Sequence, residues 1–279
     1  MAESAANSRS KATRTDGVLC VQQPNAEWLS TGWNGGRYRG DRAYNISVPE
    51  GWDCTDLAPY VEGRLERAGF REAEDTNHTQ RDAETNLEAP VLLTGVDLQH
   101  ARGARCGPVT VYATAGVSNP AALPMEPPGG DLPDGALETD EDGAAGDGET
   151  PPPKSESSTV GTVNLIVTTR CRLAAGALEN LLAVAAEAKA ATLLAHTGFP
   201  GTTTDALVVG HDLTGPEQAF SGSWTPVGAA TRACVREVLS SALESRYDGT
   251  DATIPADVDT AEYGVSTDVR ASVFEPDDR

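Results

Sequence analysis

Gly161-Thr-Val-Asn-Leu-Ile-Val167, the apolar run over 173–195, the turn Gly198-Phe-Pro-Gly-Thr-Thr-Thr-Asp205 and the short run Ala206-Leu-Val-Val209 decide the fold class. The first run is short, apolar and rich in β-branched residues, so it reads as a buried strand. Residues 172–195 are too long for a strand and are dominated by Ala and Leu, so they read as a helix. A Gly- and Thr-rich loop then returns the chain to a second strand. Strand, helix, loop and strand in that order predict an α/β protein. The apolar run is almost long enough to span a bilayer, but Glu179, Asn180, Glu187 and Lys189 interrupt it. Charges in lipid are costly, so the reading is a buried helix of a water-soluble protein.

Working outward, Val91–Val96 and Val109–Ala115 read as strands. Residues 125–158 hold ten acidic residues and one Lys among Pro, Gly and Ser. Such a segment cannot bury enough surface to offset its ordering entropy and is expected to be a disordered acidic insertion. The chain thus leaves one strand, makes a long excursion and returns to the same sheet. Nearer the N-terminus, Gly17–Gln22 reads as a strand that Glu27–Gly32 can pair across a turn at Pro24-Asn25. Trp33-Asn-Gly-Gly36 is a turn and Ala43–Val48 another strand. Asp53–Ala68 carries Leu57, Val61 and Leu65 at fourfold spacing, with Thr55 or Asp53 as cap and Gly69 as stop. Thr225–Tyr247 is a final helix. The expectation is one mixed α/β domain over 16–247, a sheet with packed helices and an α+β-like strand order in the N-terminal half. A disordered tail over 1–15 and an acidic tail over 248–279 flank it.

The net charge of −21 argues against nucleic acid and anionic membrane partners. Only three lysines stand against eighteen arginines. That balance fits a salt-adapted protein with a strongly hydrated, self-repelling surface. Lys189 is the one lysine outside the low-complexity and tail segments. The five scattered cysteines form no CxxC, and the four histidines form no metal spacing, so no metal is expected. With no apolar leader at the start, the expected compartment is the cytoplasm. Oligomeric state is left open.

Glu187 and Lys189 lie two apart on the apolar helix and therefore face apart. A buried unpaired charge is costly, so each needs a partner or a wet cleft. One reading is two structural ion pairs. The other makes Glu187 a general base or an anchor for a substrate carboxamide, and Lys189 a charge or an oxyanion donor. Asp205 is the first candidate partner of Lys189, or a second acid/base group. Asn45 and Asn164 sit inside strands, where Asn is depleted, which suggests a polar network or an amide-rich ligand.

Ser30-Thr-Gly-Trp-Asn-Gly-Gly36, Tyr44-Asn-Ile-Ser-Val-Pro49, Thr114-Ala-Gly-Val-Ser-Asn119, Gly161–Val167, Glu187-Ala-Lys189 and Gly201-Thr-Thr-Thr-Asp-Ala206 together, in this order, resemble the adenosylcobinamide amidohydrolase (CbiZ) family. Pro120 and Pro200 depart from the family's pattern, as do the insertion and both tails. The resemblance implies hydrolysis of the amide joining aminopropanol to the corrin ring, giving adenosylcobyric acid for cobamide salvage. It implies a corrinoid substrate and no cofactor beyond the cobalt that the substrate carries. On this reading Glu187, Lys189 and Asp205 are the catalytic candidates. Asn34, Asn45, Ser118, Asn119, Asn164, Thr202, Thr203 and Thr204 are the substrate-binding candidates. A threonine nucleophile from 202–204, a corrinoid sensor without hydrolysis, and an amidase for a small amide are the alternatives.

Overall fold

The computed structural model describes residues 9–49, 52, 54–71, 89–132 and 161–276. Its elements begin with β1 (Lys11–Thr15), β2 (Val18–Gln22), β3 (Ala26–Ser30), β4 (Gly36–Arg39), β5 (Arg42–Ser47), α1 (Leu57–Arg67) and β6 (Val91–Thr94). They continue with β7 (Arg102–Cys106), β8 (Val109–Ala115), β9 (Pro120–Ala122), β10 (Val163–Thr169) and β11 (Arg172–Leu173). The last are α2 (Ala177–Thr197), β12 (Gly201–Thr202), β13 (Ala206–Asp212), β14 (Glu217–Gln218), α3 (Pro226–Tyr247) and β15 (Val265–Ser266).

The α/β class is the one the sequence predicts, with its strands divided between two main sheets. A six-stranded sheet runs β4-β3-β13-β10-β8-β7 and a four-stranded sheet runs β1-β2-β5-β6. Alternation along the strands explains how they stack. On β10, Val163, Leu165 and Val167 face α2 and α3, while Ile166 faces the smaller sheet. Leu207 and Val209 of β13 join the first group and Val208 the second. The inner faces meet through Leu19, Val21, Trp28, Ala43, Leu92, Ile166 and Val208. The outer face of the smaller sheet, with Val18, Tyr44 and Ile46, packs on Val61 and Leu65 of α1. The result is four layers, helix, sheet, sheet and helices.

β8 and β10 pair antiparallel with Val163 opposite Ala115, so the chain does return to the sheet it left. β10 and β13 pair in parallel on either side of α2. Other expectations need correction. β2 and β3 do not form a hairpin: β2 pairs with β1 and β5, whereas β3 pairs with β13 and β4. The link at Pro24-Asn25 passes the chain from one sheet to the other, with Asn25 at a positive φ of 52°. Trp28 then lies opposite Gly210, where a Cβ would come within 2.3 Å of the indole, so this pairing depends on that glycine.

α1 starts at Leu57 behind Asp56, which makes no side-chain cap bond, and Gly69 follows its end at φ 72°. α2 starts only at Ala177, because Arg172-Leu173 pairs with β14 and Gly176 turns the chain at φ 79°. Thr225 caps α3 by accepting from the Gly228 amide at 3.0 Å. The N-terminal tail is shorter than expected, since Lys11–Thr15 pairs with β2. The acidic C-terminal segment is tied to the fold as well, because β15 pairs with β9. Most of the acidic insertion, 133–158, lies outside the described residues.

Candidate functional site

A cleft of about 400 Å³ opens where the two sheets part. It lies beyond the C-terminal ends of β3, β5 and β6 and the N-terminal ends of β10 and β13. Trp33, Trp52 and Leu93 line it together with Thr31, Thr94, Thr162, Thr204 and Asp205. Its size is that of a small-molecule site, with apolar walls and a few convergent polar groups. Trp52 is held against Tyr60 of α1, ring centroids 5.2 Å apart.

Asp205 organises the polar side. Oδ1 accepts from the Val163 amide at 2.9 Å and from the Thr202 hydroxyl. Oδ2 accepts from the Thr202 amide at 3.1 Å and from the Lys189 ammonium. Two bonds to each oxygen use the carboxylate's ordinary acceptor capacity. The Lys189 and Asp205 side chains are 11% and 9% exposed, a buried pair that joins the middle of α2 to the loop before β13. Gly201 makes room for it: a Cβ there would lie 2.6 Å from Asp205 Oδ2 and 2.9 Å from Lys189 Nζ. Among the described residues that line the cleft, Asp205 is the carboxylate, and Lys189 stands behind it.

The threonines divide. Thr204 lines the cleft, its Oγ1 2.9 Å from Thr162 Oγ1 and 3.3 Å from the Gly161 carbonyl. Thr202 is turned to Asp205. Thr203 accepts from the Asn119 amide group and donates its backbone N–H to the Asn119 carbonyl at 3.2 Å. Ser118 accepts from the Gly161 amide at 2.6 Å. Asn119 therefore braces the threonine loop from β9's side, and Ser118 holds the chain that enters β10.

Asn45 and Asn164 lie between the sheets rather than on the cleft surface. Asn164 Nδ2 donates to Asn45 Oδ1 at 3.0 Å and to the Leu93 carbonyl at 2.8 Å, and Asn45 Nδ2 donates to Thr114 Oγ1 at 3.1 Å. This is the polar-network alternative, set beneath the cleft wall that Leu93 forms. Asn34 takes a left-handed φ of 52° and its carbonyl accepts from the Tyr38 hydroxyl, which shapes the turn after Trp33.

Glu187 is not brought to this site. It points to solvent and pairs with Arg232 of α3 at 3.3 Å, the two side chains 65% and 43% exposed. The structure therefore does not bring together the three residues expected to act in catalysis: α2 turns Glu187 away from the cleft, as the two-residue spacing from buried Lys189 requires. Sequence reasoning missed the cleft walls. Trp33 and Trp52 are two of four tryptophans in a chain that is 5% aromatic, and that scarcity was the available signal.

A family model described as adenosylcobinamide amidohydrolase matches residues 2–251. A curated adenosylcobinamide amidohydrolase of Halobacterium salinarum is 53% identical over 264 residues, covering 95% of this chain and 98% of that protein. A second, of Methanosarcina mazei, is 24% identical over 230 residues, covering 79% and 91%.

Proposed function

The chain belongs to the adenosylcobinamide amidohydrolase family, and from that premise we propose that its Trp-walled cleft hydrolyses the amide joining aminopropanol to the corrin ring. The products are adenosylcobyric acid, available for cobamide salvage, and free aminopropanol. The observation that carries the assignment to this cleft is Asp205, a carboxylate fixed by four hydrogen bonds at a pocket with two indole walls. The indoles suit the apolar flank of a macrocycle, and the hydroxyls of Thr162 and Thr204 suit its amide arm.

In this reading Asp205 takes the proton of an attacking water and delivers it to the aminopropanol nitrogen as the C–N bond breaks. Water's oxygen ends in the new carboxyl group. Oδ1 becomes available when the Thr202 hydroxyl rotates away, since a hydroxyl is the one donor of the four that swings freely. Lys189 holds Asp205 in place, and the hydroxyls of Thr204 and Thr162 donate to the amide oxygen as charge builds there. A threonine nucleophile has less support: among the described residues the partners of Thr204 Oγ1 are a hydroxyl and a carbonyl, neither a base of useful strength, and Thr202, whose hydroxyl does donate to Asp205, does not line the cleft.

No separate cofactor enters this scheme, and the corrin cobalt is carried by the substrate. The chain would work in the cytoplasm at high salt, a reading supported by its acid-rich, lysine-poor composition. No helix among the described residues is long and apolar enough to cross a membrane. The test is a product assay: wild-type protein with adenosylcobinamide releases aminopropanol. Tight binding of the corrinoid without release would turn the reading to a binding or sensing protein.

A further inference from the structure

A second, smaller compartment of about 230 Å³ adjoins the cleft. The two share Gly95, and Gly161 of the second is the neighbour of Thr162 in the first. One wall of the compartment is Arg246, near the end of α3. Another wall is made by Ala252, Thr253 and Glu262. These three residues lie beyond residue 251, where the family match ends.

That wall is anchored to the site. β15 adds to β9 in parallel, with Val265 opposite Ala121, and the Thr267 amide donates to the Ala122 carbonyl at 3.1 Å. The other edge of β9 carries β12, with Thr202 opposite Pro120. Val258 packs on the main core. The C-terminal segment and the loop of Asp205 are therefore held by the two edges of one strand.

We propose that the segment after residue 251 completes a second subsite, which receives another primary carboxamide arm of the corrinoid while the scissile arm occupies the main cleft. This rests on the proposed function above. The chemistry of the walls selects the ligand class. The Arg246 guanidinium is a donor and the Glu262 carboxylate an acceptor. Among the described residues the half-buried Arg246 and the exposed Glu262 both line the compartment, and their side chains form no hydrogen bond or ion pair with each other. A carboxamide offers one acceptor and two donors and carries no charge, so it satisfies both walls. A phosphate or carboxylate would meet Glu262, and an amine would meet Arg246.

The experiment fills the compartment from the C-terminal wall with Ala252→Trp and, at an exposed position that tolerates a large side chain, Thr253→Trp. Thermal melts confirm folding, and steady-state hydrolysis of adenosylcobinamide is measured for both variants and the wild type. The expected result is a KM raised roughly tenfold, the loss of one or two hydrogen bonds, with kcat kept. Wild-type turnover with unchanged KM in the folded variants overturns the subsite and leaves the proposed function standing. A fall in kcat alone overturns it too. Absence of wild-type turnover overturns the proposed function instead.

Discussion

Glu187 and Lys189 are separated by a single alanine on α2, yet they occupy different media. Lys189 is inside, bound to Asp205 under the cleft, and Glu187 is outside, facing Arg232 across the surface of α2 and α3. Apolar residues surround α2 on every side, so residue type alone did not say which charge was inside. The fold decided it by laying the Lys189 face on the large sheet and on the loop before β13. A pair of the first kind must be complete, because removing one partner strands a buried charge. A pair of the second kind is screened by water and salt and contributes about 0–1 kcal/mol.

Several substitutions would break or sharpen that contrast. Asp205→Asn should have the largest effect. An amide group sets its own N–H donors against the donors of Lys189, Thr202 or Val163, and it accepts no proton. Turnover is expected to fall about 10³-fold, within the usual range for a lost general base, as read from initial rates of aminopropanol release.

Lys189→Met should cost about 3–5 kcal/mol of stability in a urea melt, because Asp205 loses its counter-charge in a buried place. Lys189→Met with Asp205→Leu should recover much of that stability and none of the activity. Recovery of activity would mean that the pair is structural. Gly201→Ala should come next: a Cβ 2.6 Å from Asp205 Oδ2 displaces the carboxylate, with a loss in kcat of roughly tenfold to a hundredfold.

At the far end of β13, His211 offers a milder test. Burial holds its pKa below the ordinary 6.5, opposed by nearby Glu27, while Arg37 and Arg172 lower it further. The folded chain thus binds the proton less readily than the unfolded one. Its contribution is present above pH 6.5 and is lost as pH falls below it. His211→Gln should flatten that part of the stability–pH curve. Glu187→Gln should do least, changing stability by less than about 0.5 kcal/mol and leaving turnover at the wild-type level.

What the sequence disclosed follows the same division between local and distant causes. β8, β10, β13 and α3 were legible because β-branched runs and helical spacing are properties of neighbouring residues. The pairing of Lys189 with Asp205 was legible because a lone buried lysine needs an anion and a Gly-Thr loop with an Asp lay close in the chain. The separation of β2 from β3 was not. The turn at Pro24-Asn25 favours a hairpin, while the contact that wins, Trp28 against Gly210, spans most of the chain. Trp33 and Trp52 line one cleft only because β3 and the segment after β5 end at the same edge. The attachment of the C-terminal segment escaped notice because two residues of β15 carry no periodic signal.

The central claim is that Asp205, and not Glu187, is the acid/base group of an amide-cleaving site. Aminopropanol release from adenosylcobinamide by Asp205→Asn and Glu187→Gln, assayed side by side as folded proteins, tests it most directly. The account predicts loss of release in the first and wild-type release in the second. Wild-type release by Asp205→Asn, or its loss in Glu187→Gln, would contradict it.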